Sequence, residues 1–205
     1  MPIEIPSKLY IDKLLKDCRR LSLEVARLPG SVKMTALHAM ADRIAGDEAA
    51  ILAANAKDVD AIGKSLDSTD ARNRMKAAVA RVRLTADHIK EIVDQLHLIA
   101  DLSDPVGLVT SRQERPDGLQ VSRVRVPIGV IGVISERNPL VTVESISLCL
   151  KSGNVCVFRG TAEWKWTHHA LDAKLREAAT EHGLPPGSWV LIDREEKEVA
   201  LEMMR

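Results

Sequence analysis

The chain has 205 residues, and its 29 Lys and Arg balance 29 Asp and Glu, so no net field draws it onto nucleic acid or an anionic membrane. Its longest apolar run, Ile128 to Ile134, falls far short of the ~20 residues needed to span a bilayer, and the opening MPIEIPSKLY lacks a basic-then-apolar leader; a cytoplasmic location is expected. Three scattered cysteines, Cys18, Cys149 and Cys156, form no CxxC pair and read as buried small hydrophobes, while an aromatic content of 2% argues against stacking as a main binding device.

Leu9, Leu14, Cys18, Leu21, Val25 and Leu28 recur at steps of mostly three and four, predicting a helix that Ser7 caps and Pro29-Gly30 ends. A second helix starts after Ser31 and runs through Met34, Leu37, Ala41 and Ile44. At Gly46-Asp47 it either continues with a kink or re-caps into the alanine-rich stretch to Ile62. Gly63 to Thr69 reads as a loop, Asp70 to Val82 as a helix with a solvated basic face, and Thr85 as the cap of a helix from Ala86 to about Ile99. Residues 1–103 are thus expected to form a helical segment.

Beyond the linker at Asp104-Pro105 the apolar period changes to two. Leu108 to Arg115 and Leu119 to Val126 should pair as a projecting hairpin, segment 104–127, across the turn Pro116-Asp117-Gly118. Gly129 to Ser135 is then a nearly continuous Val and Ile run, as expected of a parallel strand covered on both faces. A helix from Pro139 to Ser152 stops at Gly153-Asn154, and Val155 to Arg159 is the next parallel strand. Trp164 to His182 should be a helix with Trp166, Ala170, Leu171, Leu175 and Ala178 inward, and Trp189 to Ile192 a third strand, before a last helix begins at Glu195. The fold class is α/β: a helical layer and hairpin, then a partial doubly wound, Rossmann-like parallel sheet over residues 128–205.

In such a sheet ligands lie beyond the carboxyl ends of the strands, which selects Ile134 to Asn138 and Arg159 to Glu163. The usual GxGxxG fingerprint is absent, since Gly129 and Gly132 fall inside the strand. His168-His169 is not a metal pair, because adjacent helical residues point about 100° apart.

The segments ILAANAKD (Ile51 to Asp58), DPVG (Asp104 to Gly107), RPDGL (Arg115 to Leu119), RVRVPIGVIGVI (Arg123 to Ile134) and LCLKSGN (Leu148 to Asn154) occur in this order and resemble the gamma-glutamyl phosphate reductase (glutamate-5-semialdehyde dehydrogenase) family of the aldehyde dehydrogenase superfamily. The resemblance implies a cofactor, NADPH, held without GxGxxG by Ile134, Ser135, Glu136, Arg159, Gly160, Thr161 and Glu163, with Arg159 donating to the adenosine ribose or its 2′-phosphate. It implies Arg137 and Asn138 as substrate contacts, although Ser135 to Thr142 departs from the family's Tyr-Glu-Ser-Arg-Pro-Asn-Val-Thr. Gly160-Thr161-Ala162-Glu163-Trp164 likewise replaces Gly-Gly-Ser-Glu-Ala. The implied reaction is NADPH-dependent reduction of L-glutamyl 5-phosphate to L-glutamate 5-semialdehyde through a cysteine thiolate. That thiolate domain is expected to lie outside this chain, which therefore holds no catalytic residue. The hairpin corresponds to the family's oligomerisation arm and implies a homo-oligomer, with no nucleic-acid or membrane partner. The alternative reading is a non-enzymatic fragment that serves as an interaction module.

Overall fold

The computed structural model describes residues 5–65, 71–135, 138–194 and 196–205. Its elements in chain order are α1 (Ser7–Val25), α2 (Gly30–Gly46), α3 (Glu48–Ser65), α4 (Ala71–Val82), α5 (Ala86–Asp101), β1 (Val109–Glu114), β2 (Gln120–Val124), β3 (Val130–Ile134), α6 (Pro139–Lys151), β4 (Val155–Arg159), α7 (Lys165–Glu181), β5 (Trp189–Ile192) and α8 (Lys197–Met203). A single 3₁₀ turn, Ala162–Trp164, leads into α7.

The parallel sheet runs β3-β4-β5. In register, Val130 lies beside Val155 and Ile134 beside Arg159, while Cys156 lies beside Trp189 and Arg159 beside Ile192. The two-residue period of β4 divides the core. Cys156 and Phe158 join the larger apolar cluster with α2, α5, α6 and α7, whereas Val155 and Val157 pack with Ile11, Cys18 and Val25 of α1 and Val199 of α8. The helices of the first hundred residues therefore serve both faces of the sheet: α1 covers one, while α2, α3 and α5 back the layer on the other.

The outer strand differs from its expectation. Gly132 and Ile134 are exposed, because among the described residues β3 has a strand neighbour on one side only and is not covered on both faces. Ser7 is the first residue of α1, not its cap; Pro6 holds that position and no side chain caps the helix. Pro29, expected as a terminator, is instead the N-cap of α2, and Gly30 its first residue. Leu9 faces solvent while Ile11 is buried, and Trp166 is exposed while Trp164, Thr167 and His168 go inward; in both helices the buried stripe is rotated from the one read off the largest apolar side chains. At Asp47 the chain does re-cap. Its carbonyl accepts from the N–H groups of Ala50 and Ile51, so α2 and α3 are separate helices. Of the loop expected at Gly63 to Thr69, residues 63–65 belong to α3 and the rest lies outside the described residues.

Thr85 caps α5 as expected, accepting from the N–H of His88, whose ring accepts in turn from Thr85 N–H. The ribbon β1-β2 is antiparallel, exposed along its whole length, and turns at Gly118 with φ of 83°. No helix among the described residues is long and apolar enough to cross a membrane.

Two buried polar residues of α3 fasten the helical layer to α7 and thus to the rim of the sheet. Asn55 donates to Val82 O and Thr167 Oγ1 and accepts from Leu84 N–H. Asp58 accepts from the N–H groups of Trp166 and Thr167 and from Thr167 Oγ1, at 3.0, 2.9 and 2.6 Å. It caps the first turn of α7 from another helix. Asp58→Ala would leave two helix N-terminal donors without an acceptor in a site that is 1% exposed, and is expected to cost about 2 kcal/mol in a urea unfolding titration. Asp58→Asn should retain part of that.

Candidate nucleotide-binding rim

Three parallel strands end together, and the rim they form is the candidate site. Ile134 ends β3 and is exposed; Ser135 follows and its N–H donates to Arg159 O at 3.0 Å, so the first two strand ends are adjacent. Glu136 and Arg137 lie outside the described residues. Asn138 is the N-cap of α6 but makes no capping bond with its side chain, so its exposed amide is left to contact whatever reaches the rim.

Arg159 follows the alternation of β4 onto the α1 and α8 face, where its Nη2 donates to Glu196 O at 3.4 Å. Glu196 itself accepts from Arg194 through Oε1, and this bond holds its carboxyl below the ordinary glutamate range. Its other oxygen, Oε2, is enclosed and has no hydrogen-bond partner among the described residues. An acceptor beside two guanidinium groups fits a ligand that brings both a hydroxyl and a negative charge.

Glu163 goes the other way. It accepts from Arg81 of α4 at 2.5 Å, and Thr161 Oγ1 caps the 3₁₀ turn by accepting from Glu163 N–H. The expected cofactor residues are thus split by the sheet: Ile134, Ser135 and Arg159 meet at one end, while Thr161 and Glu163 shape the loop into α7.

Gly160 joins the two parts. A Cβ there would lie 2.5 Å from Cε1 and 2.8 Å from Nδ1 of His168, so the missing side chain is required by packing of that ring beneath the loop. His168 is buried, bonded to Thr142 of α6 at 2.9 Å and edge-on to Phe158. Burial pushes its pKa down to about 4, helped by neighbouring His169 and opposed by Asp172. Next to it, a cavity of about 30 Å³ lined by Gly160, Thr161, Lys165, His168 and Asp193 has room for one water and none for a nucleotide.

None of the three cysteines reaches this rim, and all are buried. Cys149 and Cys156 share a thiol hydrogen bond across the α6–β4 interface, which eases ionisation of Cys149 and, with burial, pushes Cys156 up; burial also raises Cys18. Arg194, Glu196, His168 and Arg81 were not among the residues expected here. Glu196 was within reach of sequence reasoning, since it follows the third strand as Arg159 ends the second. His168 and Arg81 act across long sequence separations and leave no local signal.

Comparison with known proteins bears on this rim. The model of the aldehyde dehydrogenase family matches residues 7–205. A gamma-glutamyl phosphate reductase of Moorella thermoacetica is 41% identical over 181 residues, which are 88% of this chain and 42% of the relative. The crystal structure of gamma-glutamyl phosphate reductase from Thermotoga maritima superposes with a TM-score of 0.83 at 33% identity, covering 94% of this chain and 45% of that one. Glyceraldehyde-3-phosphate dehydrogenase GapN from Methanocaldococcus jannaschii, solved in complex with NADP, shares the fold with a TM-score of 0.67 at 18% identity, over 98% of this chain and 40% of that one. The chain spans less than half the length of these relatives. Enzymes of this family are oxidoreductases that use NAD(P). With a match that runs unbroken through the helical layer, the ribbon and the sheet, this chain belongs to the aldehyde dehydrogenase family.

Proposed function

We propose that this chain is the helical and cofactor-binding portion of a gamma-glutamyl phosphate reductase, which reduces L-glutamyl 5-phosphate to L-glutamate 5-semialdehyde with NADPH. The observation that carries the reading is the shared end of β3 and β4, where Ser135 and Arg159 are hydrogen-bonded neighbours and Glu196 holds an unmatched acceptor. The relatives named above supply the reaction.

When bound, the nicotinamide supplies the hydride. The residues of this chain hold and orient. Arg159 presents a fork suited to a phosphate, Glu196 Oε2 accepts from a ribose hydroxyl, and Ile134 and Ser135 form the apolar and polar edge along which the nucleotide runs. Asn138 offers an amide to the substrate. The three cysteines are buried away from the rim, so the thiolate that would attack the acyl phosphate is not one of them. Self-association we assign to the exposed ribbon β1-β2, since a two-stranded ribbon with no covered face is only marginally stable by itself.

Isothermal titration of the full chain tests this. NADPH should bind more tightly than NADH, Arg159→Ala should weaken NADPH about tenfold and NADH little, and mixing the chain with glutamyl phosphate and NADPH should consume no NADPH. Equal affinity for the two cofactors, or an indifferent Arg159→Ala, would overturn the assignment of Arg159.

A further inference from the structure

Among the described residues β5 has a strand neighbour on one side only, and its parallel register sets which of its backbone groups are left over. Cys156 lies beside Trp189, yet its N–H donates to Ser188 O. In a parallel ladder the residue opposite such a donor makes no bond to it. The N–H and C=O of Trp189, and by the two-residue period those of Leu191, therefore point away from β4 to the open edge. Trp189 to Ile192 is an apolar run without charge or proline, the kind of edge that recruits another strand.

Arg176 of α7 lies across that edge. Its Nη2 donates to Trp189 O at 3.1 Å, its Nε donates to Asp172 Oδ2 at 2.7 Å, and its guanidinium carbon stands 4.9 Å from the centre of the Trp189 ring. Trp189 Nε1 donates to the other oxygen of Asp172 at 2.6 Å, so a carboxylate and a guanidinium one helical turn apart grip the same indole. The indole is buried in the core cluster, whereas the Arg176 side chain is 36% exposed. We propose that Arg176 closes the sheet at β5: by occupying the outward carbonyl of Trp189 it denies an acceptor to an incoming strand, above all to the same edge of a second copy of this chain. A strand that pairs with β5 must displace the guanidinium from the carbonyl and the indole face. It must also enclose the Arg176–Asp172 pair between two chains, where the loss of hydration offsets their attraction. On β3, where Val155 N–H donates to Gly129 O and Ser135 N–H to Arg159 O, the same period turns Val130, Gly132 and Ile134 outward, which supplies an internal reference.

Light scattering of the full chain over a wide range of concentration, with hydrogen exchange read at single amides, tests this. Arg176→Met, whose unbranched stem still covers the indole, should keep the wild-type helix content by circular dichroism. Its apparent mass should rise with concentration to at least about twice that of the wild type, and exchange at the Trp189 and Leu191 amides should slow about tenfold as it does so. Arg176→Ala serves if the methionine variant loses helix content. A variant whose mass matches the wild type at every concentration overturns the proposal. So does growth that protects Gly132 and Ile134 in place of Trp189 and Leu191, which would put the contact on the other edge of the sheet.

Discussion

Asp104→Ala is expected to destabilise the fold by about 3–5 kcal/mol, because it strands a buried ammonium. Lys33 of α2 is 1% exposed, and its Nζ reaches both carboxylate oxygens of Asp104, at 2.9 and 2.7 Å, and the carbonyl of Lys151 at 3.1 Å. Asp104 begins the link to the ribbon and also accepts from Val106 N–H, so one carboxylate ties α2, α6 and the linker together. Gly30 makes this approach feasible, since a Cβ there would meet Asp104 Oδ2 at 2.6 Å. The reverse deletion is milder. Lys33→Met removes the charge that is costly to bury, and the aspartate left behind is 26% exposed and can turn to water, so its loss should be about half as large. Burial raises the Asp104 carboxyl, but the bonds from Lys33 and Val106 and the charges of Lys33 and Lys151 outweigh it and hold the group below its ordinary value. With a folded pKa lower than the unfolded one, the contribution is complete above the ordinary aspartate value of about 3.9 and is lost as pH falls through the folded value. Urea midpoints of wild type and Asp104→Ala should therefore stay apart down to about pH 4 and draw together only below it. Equal losses for both variants would mean that the ammonium finds another partner.

This latch shows what was legible in the sequence and what was not. Local periodicity and capping located the elements well: β4 and β5 occupy the expected residues, α6 begins at Pro139, and Thr85 caps α5. Facing was harder. Leu9 and Trp166 are apolar yet exposed, because neighbours distant in sequence decide which stripe of a helix is covered. The segments that carry the family resemblance have mainly structural duties. Asn55 and Asp58 of ILAANAKD fasten α3 to α7, Asp104 of DPVG neutralises Lys33, and in LCLKSGN Lys151 donates to Ala100 O while Asn154 accepts from Gly129 N–H at the start of β3. Each partner lies between 25 and 118 residues away for contacts such as Gly129–Asn154 and Lys33–Lys151, a separation that no local pattern reports. At the rim, the alternation of β4 could have told that Arg159 shares a face with Val157, and so belongs with Glu196; the turn of Glu163 toward Arg81 could not have been read.

Acid should weaken this fold well above the range in which carboxylates protonate, and His168 is the expected cause. The ring is 5% exposed, hydrogen-bonded to Thr142 and seated under Gly160, with no room for the hydration that an imidazolium needs. Burial first, and His169 second, hold its pKa at about 4 against an ordinary value of 6.5. The unfolded chain therefore binds the proton more readily, so the stabilisation is complete above pH 6.5 and is lost as pH falls from there toward 4. By linkage the loss amounts to about 2 kcal/mol at pH 5 and about 3 kcal/mol at pH 4. Urea unfolding of the wild type between pH 7 and pH 4.5 should show this slope. His168→Gln, which can still bond to Thr142 but does not titrate, should be less stable at pH 7 and nearly flat over the same interval, so the two curves approach each other as the medium is acidified. A variant as steep as the wild type would place the acid sensitivity elsewhere. Because the ring supports the loop between Arg159 and the first turn of α7, its protonation acts first on the strand rim where the nucleotide is proposed to bind, so cofactor affinity and stability should decline together below pH 6.5.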